Sequence, residues 1–212
     1  MKKRKHSNGP QSAYVLRVSV RDIKPQIWRK LTVPDDYTLA DLHDILQAAF
    51  GWDNCHLHSF TIDSTEYRPM VSEMAGMGFD DDDDDAADEG SVCLYELDLQ
   101  PKQKFAYLYD FGDSWEHVIT VSQIIPLDAE NTDMPRPRCL GGKRAGPPED
   151  SGGPWGYENM FEILQNPAHE EYDYISEWIG DFDPEYFNKE EINARLDKMF
   201  KPKPKKPKGN AE

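Results

Sequence analysis

Between Ala13 and Val20 the apolar residues Tyr14, Leu16, Val18 and Val20 alternate with polar Arg17 and Ser19. That is the period of a half-buried strand, whose successive side chains point to opposite faces. Asp22 to Pro25 supplies a turn, and Gln26 to Val33 sets Ile27, Arg29 and Leu31 opposite Trp28 and Lys30, which predicts an opening β-hairpin. The period then changes. Leu39, Leu42, Ile45, Leu46 and Ala49 form a helical stripe, preceded by the capping pair Thr38 and Asp41 and closed by Gly51 at the C-cap. Strand patterns return at Ser59 to Asp63, Glu66 to Met70, Val92 to Leu97, Lys104 to Tyr109 and Trp115 to Ile125, with a reversal at Asp110 to Ser114. From Pro126 to Pro154 the pattern dissolves into proline and glycine, and structureless loops longer than about 12–15 residues are usually functional or disordered. Three helices follow: one from Pro154 to Leu164, one over Glu170 to Ile179, and one capped by Asn188. This order predicts a single α+β domain over 13–200, with a mostly antiparallel sheet and a helical C-terminal region.

Charge changes the picture at three places. Residues 1–12 are a basic arm, 72–91 contain a block of aspartates, and 201–212 are a Lys/Pro tail. All three are expected to be disordered, because like charges repel and proline cannot continue a helix. The 212 residues carry a formal charge of −16. The two basic ends hold nine of the 24 Lys and Arg, and the acidic run with Glu212 holds nine of the 40 Asp and Glu, so the body keeps −16 by itself. Nonspecific nucleic-acid binding needs cations that displace counterions from phosphates, so the body is expected not to bind nucleic acid directly. No apolar stretch approaches the roughly 20 residues of a membrane span, nor is there the apolar region of a signal peptide. Cys55, Cys93 and Cys139 are an odd, widely spaced set that implies neither a disulfide framework nor a paired zinc motif, and a reducing cytoplasm is the expected location.

Three constellations could carry chemistry. Asp110, Asp113, Glu116 and His117 crowd around one reversal and are catalytic candidates. His117 shares the strand face of Trp115, Ile119 and Val121, where burial would tune its protonation. The alternative is structural, with Asp110 and Asp113 making turn bonds and His117 a core residue. Asp110-Phe111-Gly112 also occurs in kinases, but the accompanying glycine-rich loop and strand lysine are missing. His56 and His58 would share one side of an extended segment and, with His117, are candidate ligands for a divalent transition metal, although the sequence requires no cofactor. The segment from Cys139 to Tyr157 offers Arg144 as an anion clamp, with Glu149, Asp150 and Trp155 as further ligand-binding candidates. Arg144 could equally pair with an acid and hold the loop against the sheet.

Several blocks together resemble the plasmid pRiA4b ORF-3-like family. They are Tyr14-Val15-Leu16-Arg17-Val18, Pro25-Gln26-Ile27-Trp28-Arg29, Phe50-Gly51-Trp52, His56-Leu57-His58, Tyr109 through His117, and Cys139-Leu140-Gly141-Gly142 through Gly153. The resemblance runs from about Ala13 to Leu196. It implies one compact α+β domain associated with plasmids and mobile elements, and it carries no reaction or catalytic residue over.

Two functions follow as expectations. One is an accessory module whose aromatic sheet face and Gly/Pro loop take a basic protein or peptide. The other is a metal-dependent, hydrolase-like enzyme using Asp110, Asp113, Glu116 and His117.

Overall fold

The computed structural model describes residues 10–70, 86–127 and 136–200. Most of the basic arm, the aspartate block and the C-terminal tail lie outside these residues. The fold is α+β, built on one eight-stranded sheet.

The opening hairpin pairs β1 (Ser12–Val20) with β2 (Trp28–Pro34), and α1 (Leu39–Phe50) follows. The Thr38 hydroxyl accepts from the Asp41 amide while the Asp41 carboxylate accepts from the Thr38 amide, and Gly51 ends the helix at φ 85°. These two caps use donors and acceptors that a helix end leaves over. Next come β3 (His58–Ile62), β4 (Thr65–Arg68), β5 (Ala87–Asp88), β6 (Lys104–Tyr109), β7 (Trp115–Pro126) and β8 (Arg138–Lys143). The chain closes with α2 (Gly153–Leu164), α3 (Tyr172–Ile179) and α4 (Lys189–Met199). The sheet order is β5-β4-β3-β6-β7-β1-β2-β8, antiparallel at every pair except β4 with β5.

Register explains the core. His58 lies opposite Tyr109 and Tyr109 opposite Trp115; one row further, Phe60, Tyr107, His117 and Val20 are neighbours. The next rows are Phe105, Ile119, Val18 and Arg29, then Val121, Leu16 and Leu31. Because strand side chains alternate, each row falls on one face, and that face is the buried one. Leu42, Ile45 and Leu46 of α1, Tyr157 and Met160 of α2, and Ile192 and Leu196 of α4 complete the core.

Arg29 is the odd member of this face, 2% exposed. Its Nε donates to the Ala49 carbonyl at 2.8 Å, and Nη1 donates to the carbonyls of Trp28 and Lys143. The rings of Phe50 and Phe187 lie 4.9 and 5.1 Å from the guanidinium. A cation at the carbonyl-rich end of a helix is favourably placed, and here it also ties α1 to two strands.

Three segments differ from the expected pattern. Residues 92–97, read as a strand, instead form a 3-10 turn over Leu94–Leu97, joined to the chain before α1 by a bridge from Cys93 to Thr38 and to β1 by the Tyr14 hydroxyl, which donates to the Leu94 carbonyl. Their alternation is too short to distinguish a strand from a tight turn that buries Leu94 alone. The long Pro/Gly region contains β8, an edge strand rich in glycine, whose Cys139 backbone bonds both ways with the Asn193 side chain of α4. Residues 87–91, grouped by charge with the acidic loop, form β5 and a 3-10 turn, with Glu89 buried against His58.

Candidate metal centre

Four segments meet at one end of the buried face: the loop after α1, the β6–β7 reversal, the end of β6, and residues 145–153. Each is locked by identifiable bonds. In the loop after α1, the Asn54 amide donates to Gln47 Oε1, and Asn54 Oδ1 accepts from His43 Nε2 at 2.7 Å. His43 Nδ1 in turn lies 2.8 Å from the Tyr107 hydroxyl. The 145–153 segment approaches because Gly146 lacks a side chain; a Cβ there would lie 2.1 Å from the Phe50 carbonyl oxygen. Gly153, at φ +67°, fits against the reversal, where a Cβ would meet the Asp113 oxygen at 2.2 Å. Trp52 Nε1 donates to the Pro147 carbonyl, and Asp113 Oδ2 accepts from the Gly152 amide.

This docking brings His56 among three carboxylates. Its Nε2 lies 3.2 Å from Asp150 Oδ1, 3.6 Å from Asp110 Oδ2 and 3.8 Å from Glu149 Oε2. Two of these carboxylates, Asp110 and Glu149, are held by their other oxygens. Asp110 Oδ1 accepts from the amides of Gly112 and Asp113. Glu149 Oε1 accepts from the Tyr109 hydroxyl and the Asp53 amide, both at 2.9 Å. His56 Nε2 and Glu149 Oε2 are buried atoms with no hydrogen-bond partner. Among the described residues, two groups place ligand atoms within 4.8 Å of one another: His56, Asp110 and Asp150, and Cys55, His56 and Glu149. Tetrahedral zinc with bonds of about 2.0–2.1 Å separates its ligands by about 3.3–3.4 Å, close to the spacings around His56. Burial raises the pKa of the Cys55 thiol, as do the charges of Glu149 and Asp150. A ligand must be deprotonated, so the nitrogen and oxygen set suits a divalent ion better than the set containing the thiol.

The residues singled out from the sequence are distributed unevenly over this geometry. Asp110, His56, Glu149 and Asp150, which the sequence presents in three separate constellations, converge. Asp113 serves the Gly152 amide, and Glu116 pairs with Arg21 on the exposed face. His117 is fully buried among Phe50, Trp52 and Tyr107, with Nδ1 donating to the Trp115 carbonyl, and burial lowers its pKa to about 4. His58 stacks on His43 at 3.4 Å and donates to Glu89. Arg144 is 6% exposed and is engaged by Glu185 and the Pro25 carbonyl, whereas Trp155 is 78% exposed. Tyr109, which orients Glu149, reads from the sequence as a core strand residue, and Asp53 orients the same carboxylate through its backbone amide, which side-chain chemistry does not reveal.

The arrangement can be set beside known proteins. Residues 12–191 match the family described as plasmid pRiA4b ORF-3-like protein. The chain belongs to this family. Within the pRiA4b ORF-3-like proteins, it is 36% identical over 189 residues to the uncharacterized protein y4hQ of Sinorhizobium fredii, covering 87% of this chain and 90% of that one. A crystal structure of a protein of unknown function, MM3350 from Methanosarcina mazei Go1, has a TM-score of 0.72 and 36% identity, covering 85% of this chain and 97% of that one. The matched span, 12–191, includes His56, Asp110, Glu149 and Asp150 of this pRiA4b ORF-3-like chain. No helix among its described residues is long and apolar enough to cross a membrane.

Proposed function

We propose that this protein is a divalent-metal-dependent hydrolytic enzyme, with His56, Asp110 and Asp150 holding the ion. The observation that carries this reading is the unbonded His56 Nε2 facing three carboxylate oxygens at 3.2–3.8 Å. One imidazole with carboxylates suits zinc, manganese or iron(II). Such an ion supplies Lewis acidity and lowers the pKa of water. The chain's own residues supply the rest. Gly112 and Asp113 hold the Asp110 carboxylate through backbone amides, the outer-shell support that metal sites need. Glu149, fixed at Oε1 and unbonded at Oε2, is the group placed to accept a proton from attacking water. Asp150, with its side chain 74% exposed, marks the side from which substrate enters. This differs from the expected grouping, because Asp113, Glu116 and His117 take no part.

The test is a screen of chromogenic esters, phosphodiesters and anilides with chelated protein and protein reloaded with Zn²⁺ or Mn²⁺. Turnover that needs metal and falls at least about 100-fold in Glu149→Gln supports the assignment, matching the usual contribution of a general base. Equal turnover with and without metal, or an unaffected Glu149→Gln, contradicts it.

The −16 charge favours a second role, engagement of a basic protein or peptide. The aromatic face of the sheet, with Tyr107, Tyr109 and Trp115 fully buried, is covered by helices and is not its surface. Three unpaired cysteines suit a reducing cytoplasm for both roles.

A further inference from the structure

A cleft of about 600 Å³ opens between the end of α1, residues 145–149 and the segment leading into α4. That volume lies within the roughly 300–1,000 Å³ of small-ligand pockets. Its walls are formed by the rings of Phe50, Phe182, Tyr186 and Phe187 with Pro147 and Pro148. Around them stand the carboxylates of Asp53, Glu149, Asp181, Asp183 and Glu191.

Among the described residues two cations, Arg29 and Arg195, line the same space, and both are already engaged. Arg29 is bound by three carbonyls and lies against two rings, and Arg195 Nη1 donates to the Ala48 carbonyl at 3.4 Å. Three of the acids also have partners within the fold: Glu149 as described, Asp183 accepting from the Glu185 amide, and Glu191 accepting from Tyr186 and Asn188. Asp53 and Asp181 are exposed, and neither carboxylate is in an ion pair with another described residue. An apolar, aromatic groove with unneutralised carboxylates at its rim complements a cationic side chain on an extended chain, which gains both ion pairing and contact with ring faces.

We propose that this cleft docks a lysine- or arginine-bearing peptide segment of a partner protein, a site that rests on the basic-partner reading and adjoins the metal centre at Glu149. Asp53 and Asp181 pair with the basic side chain, and Tyr186 and Phe182 flank its aliphatic stem.

The experiment uses the full chain in the presence of a chelator at low ionic strength. It measures the affinity of fluorescein-labelled hexalysine and of the same peptide fully acetylated. The wild type should bind the first and not the second. The double variant Asp53→Asn/Asp181→Asn should weaken binding about tenfold, as loss of two modest ion pairs predicts. The variant Glu158→Gln/Glu162→Gln, which removes the same charge from exposed positions of α2, should change it less than twofold. Equal weakening by the two variants overturns the cleft while leaving the basic-partner reading in place, and no binding at all overturns both. Direct binding of inorganic phosphate in the absence of peptide would assign the cleft to anions through Arg29 and Arg195 and overturn the proposal. A gain in affinity on removal of residues 201–212 would assign it to the chain's own basic tail, with the same consequence.

Discussion

The Tyr109 hydroxyl donates to Glu149 Oε1 at 2.9 Å while accepting from the Cys55 amide at 3.3 Å. One phenol thereby joins the loop after α1 to residues 145–153 and leaves Glu149 Oε2 turned toward His56. Burial raises the Tyr109 pKa well above its ordinary value, and the bond to Glu149 adds to the shift, so the hydroxyl stays a donor at every working pH. Tyr109→Phe removes this link without changing shape. It should cost about 1–3 kcal/mol in urea unfolding, since a buried carboxylate oxygen and an amide lose a partner. Metal stoichiometry should be unchanged, because no proposed ligand is removed. Unaltered stability would show that Glu149 is held by the Asp53 amide alone.

Two glycines permit the close approach of segments that forms the site. Gly146→Ala puts a Cβ about where the Phe50 carbonyl stands, and Gly153→Ala does the same against Asp113. Each should destabilise the fold by about 1–3 kcal/mol, the range for overpacking. Each should also weaken metal binding more than a core substitution of similar cost elsewhere, such as Val33→Ala in β2. Circular dichroism melts paired with metal titration separate the two effects. Normal metal affinity in both variants would mean that the loop does not need this close approach.

Stability should fall with acid in a way traceable to buried imidazoles. His43 is lowered to about 3, by burial first and the neighbouring His58 second, and burial lowers His117 to about 4. An unfolded histidine titrates near 6.5, and each pK unit is worth about 1.4 kcal/mol. Above about pH 6.5 both states hold neutral imidazole and the contribution is complete. Below it the unfolded chain binds protons that the folded chain refuses, so stability declines until pH reaches about 4 and then about 3. Urea unfolding at pH 7.5 and 4.5 should show this loss. His117→Gln should lower stability at both pH values yet flatten the difference between them; an unchanged difference would contradict the assignment.

Much of the fold was legible in the sequence because local rules and burial agree there. The period-2 runs became β1, β6 and β7, and the stripe bounded by Thr38 and Gly51 became α1 with both caps in place. The exceptions have physical reasons. β8 carries Gly141 and Gly142 where an alternating pattern would be, and its order comes from pairing with β2 and from Asn193, which no local window contains. The candidate site was legible as residue types, not as an assembly. Asp110 and His56 are 54 positions apart, and Glu149 lies 39 beyond Asp110. Their meeting depends on two close backbone approaches and on Tyr109, whose strand position makes it look like an ordinary core residue. The same register that gathers them directs His117 into the core and Glu116 to the opposite face, dividing residues that adjacency had grouped.

The most direct test is elemental analysis of full-length protein purified without a metal-affinity tag, then reloaded and dialysed, beside His56→Ala and Asp110→Asn. The wild type should hold about one equivalent of zinc, manganese or iron and either variant less than about a tenth, in line with the loss expected when a ligand is removed. Metal-free wild type after reloading, or full metal content in His56→Ala, would contradict the metal centre.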